Sequence, residues 1–216
     1  MHVLPVSRSK LFAALSAGLA LCASAPSAMA AVVMYSGPPI AVPNNIDGLY
    51  INVVTGVASG FAPSGWDFNV YNNSAGLTFF ARSADTSSAY VGVANAASAL
   101  TVGSVIGPGS SFTANNPLGG GVAGTAFQTP GERVVGFRFT AEASGTVHYG
   151  YALLSSGPGT GADAGFPASI ITYAFESTPN TAITAVPEPG TYAMLLAGLG
   201  LVGTLAARRR AADRAR

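Results

Sequence analysis

Charge is scarce in this chain. Only 9% of its 216 residues are Asp, Glu, Lys or Arg; histidine occurs twice, tryptophan once and cysteine once. Each shortage closes off a chemistry. With Cys22 as the single cysteine there is no intrachain disulfide and no thiolate cluster. The one lysine, Lys10, lies near the N-terminus, so the rest of the chain has no amine for a Schiff base. Beyond His2 the only imidazole is His148, too few for a site built from several histidines. Between Ala31 and Val186 the arginines are Arg82, Arg133 and Arg138, against Asp47, Asp67, Asp85, Glu132, Glu142, Asp163 and Glu176, a net charge of −4. That weakly acidic stretch lacks the basic stripe that neutralises phosphates, and nucleic acid is not an expected partner. No D-x-[DN]-x-[DN]-G loop occurs, no glycine-rich run leads into a Lys-Ser/Thr pair, and no metal or cofactor is expected.

What is there begins with residues 1–30, which read as a secretory signal peptide. Arg8 and Lys10 make a positive start, Leu11 to Leu21 an apolar run, and Ala28-Met29-Ala30 places small residues at the −3 and −1 positions of a cleavage site. A mature chain beginning at Ala31 is expected, without cysteine. The competing lipoprotein reading needs a small residue before Cys22, and Leu21 is large.

The C-terminal stretch has three parts. Val186-Pro187-Glu188-Pro189-Gly190 denies the chain helical geometry and backbone donors, so a folded domain is expected to stop before it. Thr191 to Ala207 is uncharged, and as a helix it would be about 25 Å long, at the short end of a bilayer span. Arg208-Arg209-Arg210 would hold its far end on the cytoplasmic side, ahead of a tail at 211–216. This order of parts resembles the PEP-CTERM sorting signal of Gram-negative bacteria: a Pro-Glu-Pro motif, a short Leu/Ala/Gly-rich helix and an arginine-rich end. The resemblance implies processing by exosortase, a membrane-embedded enzyme. It also implies an inner-membrane intermediate, final delivery to the cell surface or extracellular matrix, and an association with exopolysaccharide and biofilm.

Residues 31–185 form the cargo, long enough for one core. Short runs of period two recur along it, and no window has a helical period. Strands are predicted at Leu49 to Val54, Trp66 to Tyr71, Leu77 to Ala81, Ala89 to Ala94, Leu100 to Ile106, Val134 to Thr140, Thr146 to Leu154, Ser169 to Glu176 and Thr181 to Ala185. The turn Asn72 to Gly76 makes a hairpin of the second and third. The predicted fold is all-β, an antiparallel β-sandwich of jelly-roll type, flanked by the signal peptide and a single transmembrane helix. The Gly/Pro-rich stretches Gly107 to Gly124 and Ser155 to Ala168 read as loops that bury little. Val134 to Leu154, VVGFRFTAEASGTVHYGYALL, is similar to a pattern of cargo domains carrying the same C-terminal signal, with Tyr151 where tryptophan is more usual.

The search for chemistry is thin. His148 falls in a predicted strand, no G-x-S-x-G elbow accompanies it, and a Ser-His-Asp triad with Asp67 or Asp163 is not expected. The scattered carboxylates show no pairing that would mark a glycosidase. Trp66, Asp67, Asn69, Tyr71 and Asn73 combine aromatic faces with amide and carboxylate groups, the chemistry that stacks on sugar rings and bonds their hydroxyls. Against this, Trp66 is in phase with Phe68 and Val70, which places it in the core. The expected function is therefore a non-enzymatic surface or matrix protein, with a carbohydrate-binding module as the alternative and a glycan-active hydrolase third.

Overall fold

The computed structural model describes residues 31–82, 88–115, 121–185 and 198–202. The signal peptide at 1–30, the motif Val186 to Gly190, Arg208 to Arg210 and the tail at 211–216 lie outside the described residues. Of the expected transmembrane span, residues 198–202 are described and helical. Among the described residues no helix is long and apolar enough to cross a membrane.

The described part of the cargo is all-β. In chain order the strands are β1 (Val32–Met34), β2 (Ile40–Val42), β3 (Leu49–Ile51), β4 (Ala58–Ser59), β5 (Phe68–Asn72), β6 (Leu77–Ala81), β7 (Ala89–Val93) and β8 (Ala96–Ala97). They continue as β9 (Val105–Ile106), β10 (Phe112–Thr113), β11 (Val122–Ala123), β12 (Gly131–Ala141), β13 (Thr146–Ser156), β14 (Ala168–Glu176) and β15 (Ile183–Thr184). Thirteen of these lie in one sheet with the path β1-β14-β13-β12-β7-β8-β11-β6-β5-β3-β4; β2 also pairs with β14, and β10 with β7. The path is continuous through β7, so the strands do not divide into the two separate sheets expected of a sandwich. Nor is the pairing wholly antiparallel, because β8 and β11 run parallel at Ala96 and Ala123.

The sheet curls. Five steps separate β5 from β12 along the path, which in a flat sheet would hold them about 24 Å apart. Instead the Phe68 ring of β5 lies 4.9 Å from that of Phe137 on β12 and 6.5 Å from that of Tyr173 on β14. Curling brings the apolar faces of both halves together. Leu49, Ile51, Phe68, Val70 and Phe79 from one half pack in a single buried cluster with Val135, Phe137, Phe139, Leu154 and Tyr173 from the other.

The hairpin β12–β13 is the longest pairing, eleven residues in register from Gly131↔Ser156 to Ala141↔Thr146. Its alternation matches the sequence reading and adds one fact to it. Phe137 sits opposite Gly150 and Tyr151 opposite Gly136, so Val135, Phe137 and Phe139 face the core while Tyr149, Tyr151 and Leu153 face away from it. The outward tyrosines are covered by β9 and β15, whose Ile106 and Ile183 join Val134, Tyr149, Tyr151 and Ala174 in a second buried cluster. Glycine is required where the Phe137 ring crosses β13 and where Val91 and Ile106 close over β12. A Cβ at Gly150 would come within 2.6 Å of the Phe137 ring and of the Ala174 carbonyl, and one at Gly136 within 2.6 Å of Val91 and 2.8 Å of Ile106.

On β14 the register slips where Leu153 faces Thr172 and Leu154 faces Ile170, leaving Ile171 unpaired. The bulge reverses the alternation. Simple period two would have put Ile170 with Thr172 and Ala174; instead Ile170, Tyr173 and Phe175 all reach the core. The predicted loop before β14 is also more closely packed than expected. Phe166 is 3% exposed within the core, the Leu77 amide donates to the Ala164 carbonyl at 2.9 Å, and Asn44 Nδ2 donates to Asp163 at 2.9 Å. Leu100 to Ile106, expected as a strand, supplies one bridge at Leu100 and the two residues of β9.

Two measurements check this packing. Gly150→Ala inserts a methyl where the ring and carbonyl leave no room, and is expected to lower unfolding stability by about 1–3 kcal/mol in denaturant melts; an unchanged midpoint would contradict the register. Burial pushes the Tyr90 hydroxyl well above its ordinary value and that of Tyr173 up to about 12. The folded chain thus keeps protons that the unfolded chain releases near pH 10, so this contribution is whole below about pH 10 and lost as pH rises through about 12. Denaturant midpoints across that window should fall more steeply for the native protein than for Tyr173→Phe, whereas parallel curves would count against the burial of Tyr173.

Candidate functional site

The residues singled out for sugar contact cluster on β5 and its approaches, but the structure divides them. Asp67 is 2% exposed, and its Oδ2 accepts the Val53 amide at 2.7 Å. Asn69, also buried, donates through Nδ2 to the Asp47 carbonyl at 2.8 Å. Asn73 is exposed at the hairpin turn, where its Oδ1 accepts the Ala75 amide at 3.0 Å. Tyr71 is buried at 8% exposure, and burial raises its hydroxyl above the ordinary tyrosine range. The polar members of the set are thus engaged in holding the backbone, and Tyr71 is not a surface residue.

Trp66 departs from its expected place in the opposite sense. β5 starts at Phe68, after a turn in which the Trp66 amide donates to the Pro63 carbonyl at 3.3 Å, and the break in the strand puts Trp66 out of phase with Phe68 and Val70. It lies half-buried on the outer face of β3, β5 and β6, edge-on to Tyr50 at 5.0 Å and stacked near Phe80 at 6.0 Å. Tyr50, Asn69 and Phe80 are cross-strand neighbours on that face. Phe61, on the loop between β4 and Trp66, is 76% exposed, the highest value among the described large apolar side chains.

Beside this group the Arg82 Nη1 donates to Glu142 Oε1 at 2.7 Å. Gly65, at φ +67°, leaves the space that the Glu142 carboxylate occupies. Tyr50, Phe61, Phe80 and this ion pair were missed by sequence reasoning. The available signal was parity, since Tyr50 sits between the core residues Leu49 and Ile51, and Phe80 beside Phe79.

His148 is a packed histidine. Its Nδ1 donates to the Glu176 carbonyl at 2.8 Å, which leaves Nε2 to accept from the Thr146 hydroxyl at 3.0 Å, while the ring stacks 5.6 Å from Phe139. Neither Asp67 nor Asp163 is its hydrogen-bond partner, so the triad arrangement is absent at this histidine. Four of the described carboxylates bond to separate partners: Asp67 to Val53, Glu142 to Arg82, Asp163 to Asn44, and Glu176 to the Thr178 amide at 2.9 Å. Among the described residues no group of three or more His, Cys, Asp or Glu side chains could hold a metal ion. A separate shallow groove runs past the stacked pair Tyr35 and Tyr173, 5.0 Å apart, and no charged side chain lines it.

The remaining feature is the point where the chain leaves the domain. β15 pairs with β9 through Ile183↔Ile106 and Thr184↔Val105. The Gly103 amide then donates to the Ala185 carbonyl at 2.7 Å, and the Ala185 amide to the Ser104 carbonyl at 2.9 Å. Ala185 is fully buried, so the domain holds the chain up to the residue before Val186.

A family model described as the PEP-CTERM protein-sorting motif matches residues 185–210, starting at this exit residue. No curated protein and no solved structure matches the chain. The motif indicates an exported protein that exosortase sorts to the cell envelope or surface, and residues 185–210 give this chain a PEP-CTERM sorting signal.

Proposed function

We propose that this chain is a non-enzymatic surface or matrix protein, delivered through its C-terminal motif and associated with exopolysaccharide or biofilm. The observation that carries the reading is the junction at Ala185. The sorting motif starts at Ala185, which is itself bonded to Gly103 and Ser104, so processing beyond Gly190 would remove most of the signal and leave every described strand of the cargo in place. Four carboxylates support the non-enzymatic part, since Asp67, Glu142, Asp163 and Glu176 are each engaged with a different backbone or side-chain partner. The remaining finer points belong to the same reading: cleavage of a signal peptide after Ala30, passage of Thr191 to Ala207 through the inner membrane with Arg208 to Arg210 on the cytoplasmic side, and a curled sheet that acts as a sandwich around one core.

Intact mass checks the sorting. Material from a host with exosortase is expected to lack the segment from Thr191 onward, and material from a host without it to retain that segment. The same C-terminus from both hosts would end the proposal.

A second reading, carbohydrate binding, is favoured by the outer-face group of Tyr50, Trp66 and Phe80 with the exposed Phe61 nearby. The half-buried rings at this outer face leave apolar surface exposed to the C–H faces of sugars. Co-sedimentation with the producing organism's own exopolysaccharide tests it, with release of reducing ends followed in parallel. Binding reduced at least tenfold by Trp66→Ala together with Phe61→Ala, and no new ends, is the expected result for a binding module. Retention unchanged by both substitutions would remove this face from consideration, and new ends would point to hydrolysis.

A further inference from the structure

We infer that the rim of the domain around β9 and β15 rests on the surface of the lipid bilayer while the chain is anchored through its C-terminal segment. The inference rests on the proposed membrane insertion of Thr191 to Ala207 and adds an orientation and a contact surface to it.

Tether length comes first. The chain is held without slack up to Ala185 by the bonds to Gly103 and Ser104. Five residues, Val186 to Gly190, separate that point from the apolar run. Fully extended, five residues span at most about 18 Å. A domain of this size has a radius of gyration of about 15 Å, so the tether is too short for the domain to turn its exit side away from the membrane. The side from which the chain emerges must face the bilayer.

The composition of that side is the second observation. Val102 and Val105 flank the two residues that bond Ala185, and they are 58% and 64% exposed. No charged residue occurs between Asp85 and Glu132, which takes in all of β9 and its flanks, and none between Glu176 and Glu188, which takes in β15. Moving a surface against lipid headgroups and upper acyl chains is costly when charges lose their water. β9, β15 and their flanks have none to lose, Val102 and Val105 stand exposed there beside the uncharged Thr101 and Thr184, and Arg138 on the same outer face is held over the Phe112 ring at 4.7 Å. Exposed valines elsewhere in the chain lack the second condition, a tether that forces them toward the membrane.

The opposite outer face provides an internal control. Tyr50, Trp66 and Phe80 lie on the outside of the β3–β5–β6 half, while β9 and β15 cover the outside of the β12–β13 half, and the core lies between the two. A bilayer touching the rim does not touch the aromatic face.

The test uses the full chain with Cys22→Ser, so that an introduced cysteine is the only one. Val102→Cys, Val105→Cys and Phe61→Cys are each labelled with an environment-sensitive fluorophore. The labelled chains are reconstituted into vesicles of phosphatidylethanolamine and phosphatidylglycerol carrying a nitroxide at the headgroup level. Quenching at positions 102 and 105 at least twofold stronger than at position 61 is the expected result. Equal quenching at all three in vesicle-bound chain would overturn the rim contact while leaving the anchor intact. A chain that does not float with the vesicles would instead overturn the membrane reading, and the rim contact with it.

Discussion

The hairpin of β12 and β13 is the constraint on which the rest of the domain depends. Eleven residues in register fix which side of the sheet each aromatic ring of the hairpin takes, and two glycines make the arrangement possible, Gly150 by letting the Phe137 ring lie across it and Gly136 by leaving room for Val91 and Ile106. Phe137 over Gly150 then reaches Phe68 on the far half of the sheet, and that contact closes the curl. On the other side, Tyr149 and Tyr151 are left needing cover, which the short strands β9 and β15 supply. One alternation thus creates both the core and the requirement that the last strand stay attached.

That requirement connects fold to sorting. A domain whose C-terminus hung loose could be cut anywhere along a linker. Here the chain is bonded through Ala185, and the motif match starts at the same residue. Two prolines directly after it prevent the strand from continuing. On the proposed function, processing beyond Gly190 would leave every described strand of the cargo in place. Such an arrangement suits a protein whose sorting element and folded element have different fates.

The sequence was most legible where alternation was long and uninterrupted. β6, β12 and β13 fall where period two predicted them, because aromatic and aliphatic residues on one face left little choice of register. It was least legible where a single residue changed the phase. The unpaired Ile171 moved Tyr173 and Phe175 into the core, and the turn ahead of β5 moved Trp66 out of it. Pro63-Ser64-Gly65 marks the turn ahead of β5, but where the strand starts after it, like the slip at Ile171, is decided by contacts with distant strands. Among the strands of two or three residues, β1, β2, β4, β8, β10 and β11 were not predicted, since so few positions show no period. The same limit applied to the candidate sites. The C-terminal motif could be read because its chemistry is contiguous in sequence. The aromatic face could not, because Tyr50, Trp66 and Phe80 come from three separate segments, and the polar residues proposed beside Trp66 are engaged with the backbone.

The account turns on β15 being part of the domain and the motif not being so. Denaturant unfolding of a chain ending at residue 190, compared with one ending at residue 180, measures this directly. The account predicts that the longer chain keeps the full-length stability, while the shorter one, with Tyr149 and Tyr151 uncovered, unfolds at clearly lower denaturant. Equal midpoints for the two would contradict it, since the last strand would then contribute nothing to the fold that the sorting signal leaves behind.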